Sequence, residues 1–133
     1  MKACLVAALL VGSIVAGSAW GEQIDRQAHQ DYLLHCMGCH GEQGRGLADK
    51  VPSFPDDLAR LLTSPGGREF IQRVPGVTQS ELTSERLAAV LNWIVRNFAS
   101  AQVSERIAPF TAAEVERLRT RPLLEVARER PEL

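Results

Sequence analysis

Two cysteines three positions apart, with a histidine directly after the second, constrain this 133-residue chain more than anything else in it: Cys36-Met37-Gly38-Cys39-His40. The spacing has a chemical reason. Two thiols on a single turn can each add to one vinyl group of the same haem, and the adjoining imidazole then lies under the ring, able to ligate its iron. The competing readings ask for more than the chain offers. A thioredoxin-like redox pair belongs between a strand and a helix, whereas the flanking pattern here is helical. A zinc site needs further ligands, and neither a second C-x-x-C nor an H-x-x-x-H occurs. The motif marks Cys36, Cys39 and His40 as attachment residues for one covalent haem c, with His40 as the iron ligand.

The N-terminus reads as an export signal. Met1-Lys2 precedes an apolar run from Ala3 to Gly17 and then small residues, the layout of a secretory leader. Gly17-Ser18-Ala19 fits a small-x-small cleavage site, so residues 1–19 are assigned to the leader. Cleavage after Gly21 is the alternative, and an uncleaved anchor is the competing reading. The run is short for a membrane span and no charged stop-transfer segment follows it, so the mature chain is expected in the periplasm, without a span. Cys4 leaves with the leader; the two remaining cysteines both belong to the motif, so no disulfide is expected. The formal net charge is −1, with acidic and basic residues interspersed, which gives nucleic acid no footing. So short a chain buries little surface, and a covalent haem would supply apolar core.

Helical periodicity dominates the rest. Glu22 to His35 is expected as a helix, with Ile24, Ala28, Tyr32 and Leu33 at three- and four-residue spacing. Gly41-Glu42-Gln43-Gly44-Arg45-Gly46 lacks the G-K-[ST] ending of a phosphate loop and reads as backbone turning tightly. Asp56 and Asp57 are placed to cap a short helix through about Leu62. Arg68 to Val74 forms another, ended by Pro75-Gly76. Thr83 caps the strongest helix, Ser84 to about Phe98, whose apolar set is Leu87, Val90, Leu91, Ile94, Val95 and Phe98, with Trp93 alongside. Thr111-x-x-Glu114 is a capping box opening a short helix, and Pro122 can start another with Leu123, Leu124 and Val126. No strand pattern is visible, and the expected class is all-α. The tail beyond about residue 101 reads as a helical add-on that haem binding does not need, its amphipathic turns either wrapping the core or docking on a partner enzyme.

From Tyr32 to about Phe98 the chain resembles the class I cytochrome c family. The likeness rests on Cys36-Met37-Gly38-Cys39-His40-Gly41, on Gly44 and Gly46 after it, on Pro52 twelve residues past the histidine, and on Leu87-Ala88-Ala89-Val90-Leu91-Asn92-Trp93-Ile94 in the closing helix. It implies a small helical fold wrapped around one haem, a cytochrome domain over residues 22–100 and an extension over 101–133. It also implies that the first helix crosses the last near a right angle, and that the Pro52 carbonyl accepts a hydrogen bond from the second ring nitrogen of His40, fixing the imidazole.

One departure stands out. The family's usual sixth ligand is a methionine before the last helix, and this chain has only Met1 and Met37. Val74-Pro75 aligns with the family's methionine-proline pair, and valine cannot ligate iron. His29, His35 and Lys50 are weak substitutes. Gln72, Arg73 and Gln79 flank the distal loop and could hydrogen-bond a water or small ligand there. Arg45, Arg60 and Arg68 could pair haem propionates. Two functions remain. One is a periplasmic electron carrier, not an enzyme, serving a substrate dehydrogenase or terminal oxidase. The other is a haem that binds nitric oxide, carbon monoxide or peroxide at an open distal position, with at most weak peroxidase activity because no distal acid–base histidine is well placed.

Overall fold

An uninterrupted run without proline carries the first helix, α1, from Lys2 to His35 in the computed structural model. This model describes residues 2–132 apart from Asp49, with side chains from Ala19 onward. The side chains that define the expected leader, up to residue 18, lie outside the described residues. The helix thus begins well before the expected Glu22. Its buried face is Ala28, Asp31 and Tyr32, with Leu33 half-buried, whereas Ile24, expected in the apolar set, is 57% exposed. Among the described residues no helix is long and apolar enough to cross a membrane.

The chain then runs through α2 (Met37–His40), a π-helical turn (Phe54–Leu58) leading into α3 (Ala59–Thr63), α4 (Gly67–Arg73), α5 (Pro75–Thr78), α6 (Ser84–Phe98), α7 (Ala101–Ser104), α8 (Ala112–Arg119) and α9 (Val126–Glu129). The described residues contain no strand, only an antiparallel bridge between Leu47 and Val51. Three boundaries differ from expectation. The helical segment before Leu62 starts at Phe54, with Pro55 in its first turn. Pro75 opens a new turn instead of merely ending α4, because its missing N–H is no loss at a first-turn position. Leu123 and Leu124 stay outside α9.

The organising contact is α1 against α6. Thr83 caps α6 by accepting from the Arg86 N–H at 3.4 Å, and the helix buries Leu87, Val90, Leu91, Trp93, Ile94 and Val95, close to the expected set. Each such side chain, fully buried, contributes roughly 1.5–3 kcal/mol. Tyr32 of α1 meets the Trp93 ring at 5.1 Å and the Phe98 ring at 5.6 Å. At one end of the interface Arg86 grips the buried Asp31 carboxylate bidentately, its Nε at 2.9 Å. At the other end Arg96 pairs with Asp25 at 2.5 Å.

The tail is part of the core, contrary to its reading as an add-on. Phe110 and Val115 belong to the main hydrophobic cluster, and Leu118 is 2% exposed. Leu123 joins Leu61 and Phe70 in a second cluster. Arg68 of α4 fastens the tail: its guanidinium makes two 2.7 Å bonds to Glu114, donates to the Ala108 and Pro109 carbonyls, and lies 4.1 Å over the Phe110 ring. That partner holds the Glu114 carboxyl below its ordinary range. Asn92 of α6 bonds both ways with the Phe110 backbone, and Arg119 donates to the Leu82 carbonyl at 2.8 Å. Sequence alone suggested disposability because the apolar residues are few and widely spaced among charges; only the fold shows α8 packed on α4 and α6.

Ending the chain at Ser104 is therefore expected to abolish cooperative unfolding, followed by circular dichroism in urea. Leu118→Ala should destabilise the full chain by about 2–5 kcal/mol.

Candidate functional site

A short turn presents the three expected attachment residues together. Helix α1 stops at His35, and α2 supplies one more turn from Met37 to His40, in which the His40 N–H bonds to the Cys36 carbonyl at 3.0 Å. Residues three and four apart share a helix face, so Cys36, Cys39 and His40 lie on one side of that turn. Both thiols are free, Cys36 half-buried and Cys39 exposed. Burial, with Asp31 and Cys39 adding, pushes the Cys36 thiol up to about 11. Cysteines that work as redox nucleophiles have lowered values, so this environment opposes a thioredoxin-like role.

The loop that follows is held from two sides. The buried Tyr32 hydroxyl donates to the Gly41 carbonyl at 2.5 Å, and burial above all, with Cys36 adding, raises the phenol to about 12, so it remains a donor. Gly41 takes φ 74° and ψ 162°, a conformation essentially confined to glycine, which turns the chain sharply after His40. The Gly46 N–H returns to the His40 carbonyl at 2.8 Å. Gly46 has φ 67°, and a Cβ there would fall 2.2 Å from the Val51 carbonyl oxygen and 2.5 Å from that of Pro52. The bridge between Leu47 and Val51 closes this loop and brings Pro52 back beside the motif.

His40 stacks on Phe54, ring centroids 4.1 Å apart and nearly parallel. Burial lowers the imidazole pKa, and the Pro52 carbonyl works in the opposite direction. Nδ1 is buried and has no hydrogen-bond partner. The carbonyl thus lies near the ring without being aligned on Nδ1, so the hydrogen bond expected from His40 to Pro52 is not made. Two free thiols and a half-buried imidazole whose buried Nδ1 is unpartnered, all on one turn, are a donor set that fits a covalently attached haem.

The other singled-out residues are occupied elsewhere. His29 stacks on Trp93 at 4.8 Å, and His35 is exposed at the end of α1. Gln72 is fully buried, but its amide donates to Glu114 and to the Arg68 carbonyl, toward the tail. Arg73 donates to the Arg121 carbonyl, and Gln79 is exposed. Arg45 donates to Gln43, and Arg60 to Asp57. Arg68 is committed to the tail as described above, which removes it as a propionate partner. The sequence reading missed Phe54 and the Tyr32 hydroxyl bond. Phe54 follows Pro52 by two positions with no motif to flag it, and Tyr32 reads as a packing aromatic, or second as a haem-edge residue, because a hydroxyl's partner nine residues away leaves no periodic trace.

No protein-family model matches the chain. It is similar to a cytochrome c-552 of Thermus thermophilus, 32% identical over 141 aligned positions that cover 92% of this chain and 90% of that protein. A second cytochrome c-552 of Thermus thermophilus is 32% identical over 106 positions, covering 66% of this chain and 81% of that protein. The first match spans more positions than this chain's 133 residues, so that relative carries residues with no counterpart here.

Gly46→Ala is expected to disrupt the loop behind His40: unfolding in urea should show a loss larger than the roughly 1–2 kcal/mol that a left-handed non-glycine residue costs alone. Gly66→Ala is the control, since Gly66 has φ 76° with nothing within 4 Å of a new Cβ. It should cost only that smaller amount.

Proposed function

The chain belongs to the class I c-type cytochromes, and from that premise we propose that it is a periplasmic single-electron carrier working with a periplasmic substrate dehydrogenase or, alternatively, a terminal oxidase. Proteins of this family hold one covalent haem c and carry electrons without turning over a substrate. The observation that carries the reading here is the shared face of Cys36, Cys39 and His40 on one turn, closed behind by the Tyr32 and Gly46 hydrogen bonds. Export through the leader at residues 1–19 is the basis for the periplasmic assignment.

Each residue has a physical task. The Cys36 and Cys39 sulfurs would hold the porphyrin edge by thioether bonds, so the cofactor could not dissociate. His40 would donate one imidazole nitrogen to the iron, and its lowered pKa keeps that nitrogen unprotonated at neutral pH. Pro52 supplies a carbonyl beside the ring that orients it once Nδ1–H turns toward it. Phe54 blocks one face of the imidazole and limits its rotation. When bound, the haem supplies the one-electron chemistry; the chain sets access, orientation and docking.

Expression with a working haem-attachment system should give an intact mass of the mature chain plus one haem that survives acid–acetone extraction. Cys36→Ser with Cys39→Ser should lose it. His40→Ala should abolish the native Soret spectrum, and Pro52→Ala should change it only mildly. A bare-polypeptide mass for the parent, or an unchanged spectrum in His40→Ala, would defeat the assignment.

A further inference from the structure

A haem iron offers two axial positions, and among the described residues a single side chain, His40, is placed to fill one. Beyond His40 the sequence contains no histidine, methionine, cysteine or tyrosine, and its one lysine is Lys50. Every other strong donor of the mature chain lies on the segment that carries His40 itself. Of these, His29 is stacked on Trp93 and His35 is exposed at the end of α1. Met37 sits between the two attachment cysteines. Lys50 is exposed in the loop that hydrogen-bonds back to the His40 carbonyl through Gly46, so it belongs to the same side.

The connection between α4 and α6 offers nothing in exchange. It is short, and α5 folds it on itself, with the Val77 and Thr78 N–H groups bonded to the Val74 carbonyl. Arg119 of the tail pins it through the Ser80 and Leu82 carbonyls. Of its apolar residues, Val77 belongs to the main core cluster, against which Ile71, Val74, Cys36 and Phe54 are partly buried, and Ile71 and Val74 also pack on the cluster of Leu61, Phe70 and Leu123. The polar residues Gln72, Arg73 and Gln79 turn to the tail or to solvent.

We propose that the haem face opposite His40 is an open coordination site for a small neutral diatomic ligand such as carbon monoxide or nitric oxide. This rests on the attachment reading above. The apolar Ile71, Val74 and Val77 offer neither a charge for an anion nor an acid–base pair for peroxide, which narrows the ligand class to neutral, weakly polar molecules.

The test uses the mature full-length holoprotein, with carbon monoxide as the probe. A pyridine haemochrome spectrum first reports whether haem is attached; its absence would overturn the attachment reading, and the proposal with it, and is visible separately. With haem in place, the oxidised protein at neutral pH should show a high-spin spectrum. The reduced protein should take up one carbon monoxide per haem, with a Soret shift and a rate that rises linearly with carbon monoxide concentration. A low-spin oxidised spectrum, no uptake, or a rate capped by a concentration-independent step would overturn the proposal, because an internal side chain would then hold the position.

Discussion

A single buried hydroxyl joins the packing of this protein to its chemistry. Tyr32 is wholly excluded from solvent, its ring set among Trp93 and Phe98 of α6 and its oxygen bonded to the Gly41 carbonyl immediately after His40. The α1–α6 interface thereby fixes where the attachment turn ends and where the following loop departs. Losing such a bond while the carbonyl stays buried costs about 1–3 kcal/mol, and here the cost would fall on the residue beside His40. The Gly46 N–H completes the restraint from the other side, through contacts too close for any side chain.

The C-terminal tail works on the opposite flank. Arg68, Asn92 and Arg119 each reach from the core, or back to it, to backbone carbonyls that no secondary structure satisfies. Val115 and Leu118 fill the space between α4 and α6. Such a chain has few residues with which to build a core, and spending the last thirty or so on one is consistent with that scarcity. The same tail fixes the connection before α6, through Arg119 on the Ser80 and Leu82 carbonyls.

Much of this was legible in the sequence. The helical turn that puts Cys36, Cys39 and His40 on one side, the span and cap of α6, the all-α class and the Thr111 cap all depend on local signals: fixed spacing, helical period and capping chemistry. What stayed hidden depends on pairs distant in sequence. The Arg68–Glu114 clamp, the Asp31–Arg86 pair and the Tyr32–Gly41 bond each join residues that carry no mutual pattern until the helices pack. Arg68 is instructive: as a sequence element it was a candidate for haem propionates, and the fold commits every nitrogen of its guanidinium to the tail. The placement of Phe54 against His40 likewise follows from the Leu47–Val51 bridge turning the loop back, not from any property of Phe54 itself.

The central claim is that the Cys36–His40 turn carries a one-electron centre and not a dithiol couple. A potentiometric titration of the purified mature protein, followed by absorbance, separates the two. A one-electron centre gives one reversible wave whose oxidised-to-reduced ratio changes tenfold for about 59 mV. A wave with a slope of about 30 mV, marking a two-electron disulfide couple between Cys36 and Cys39, would contradict it.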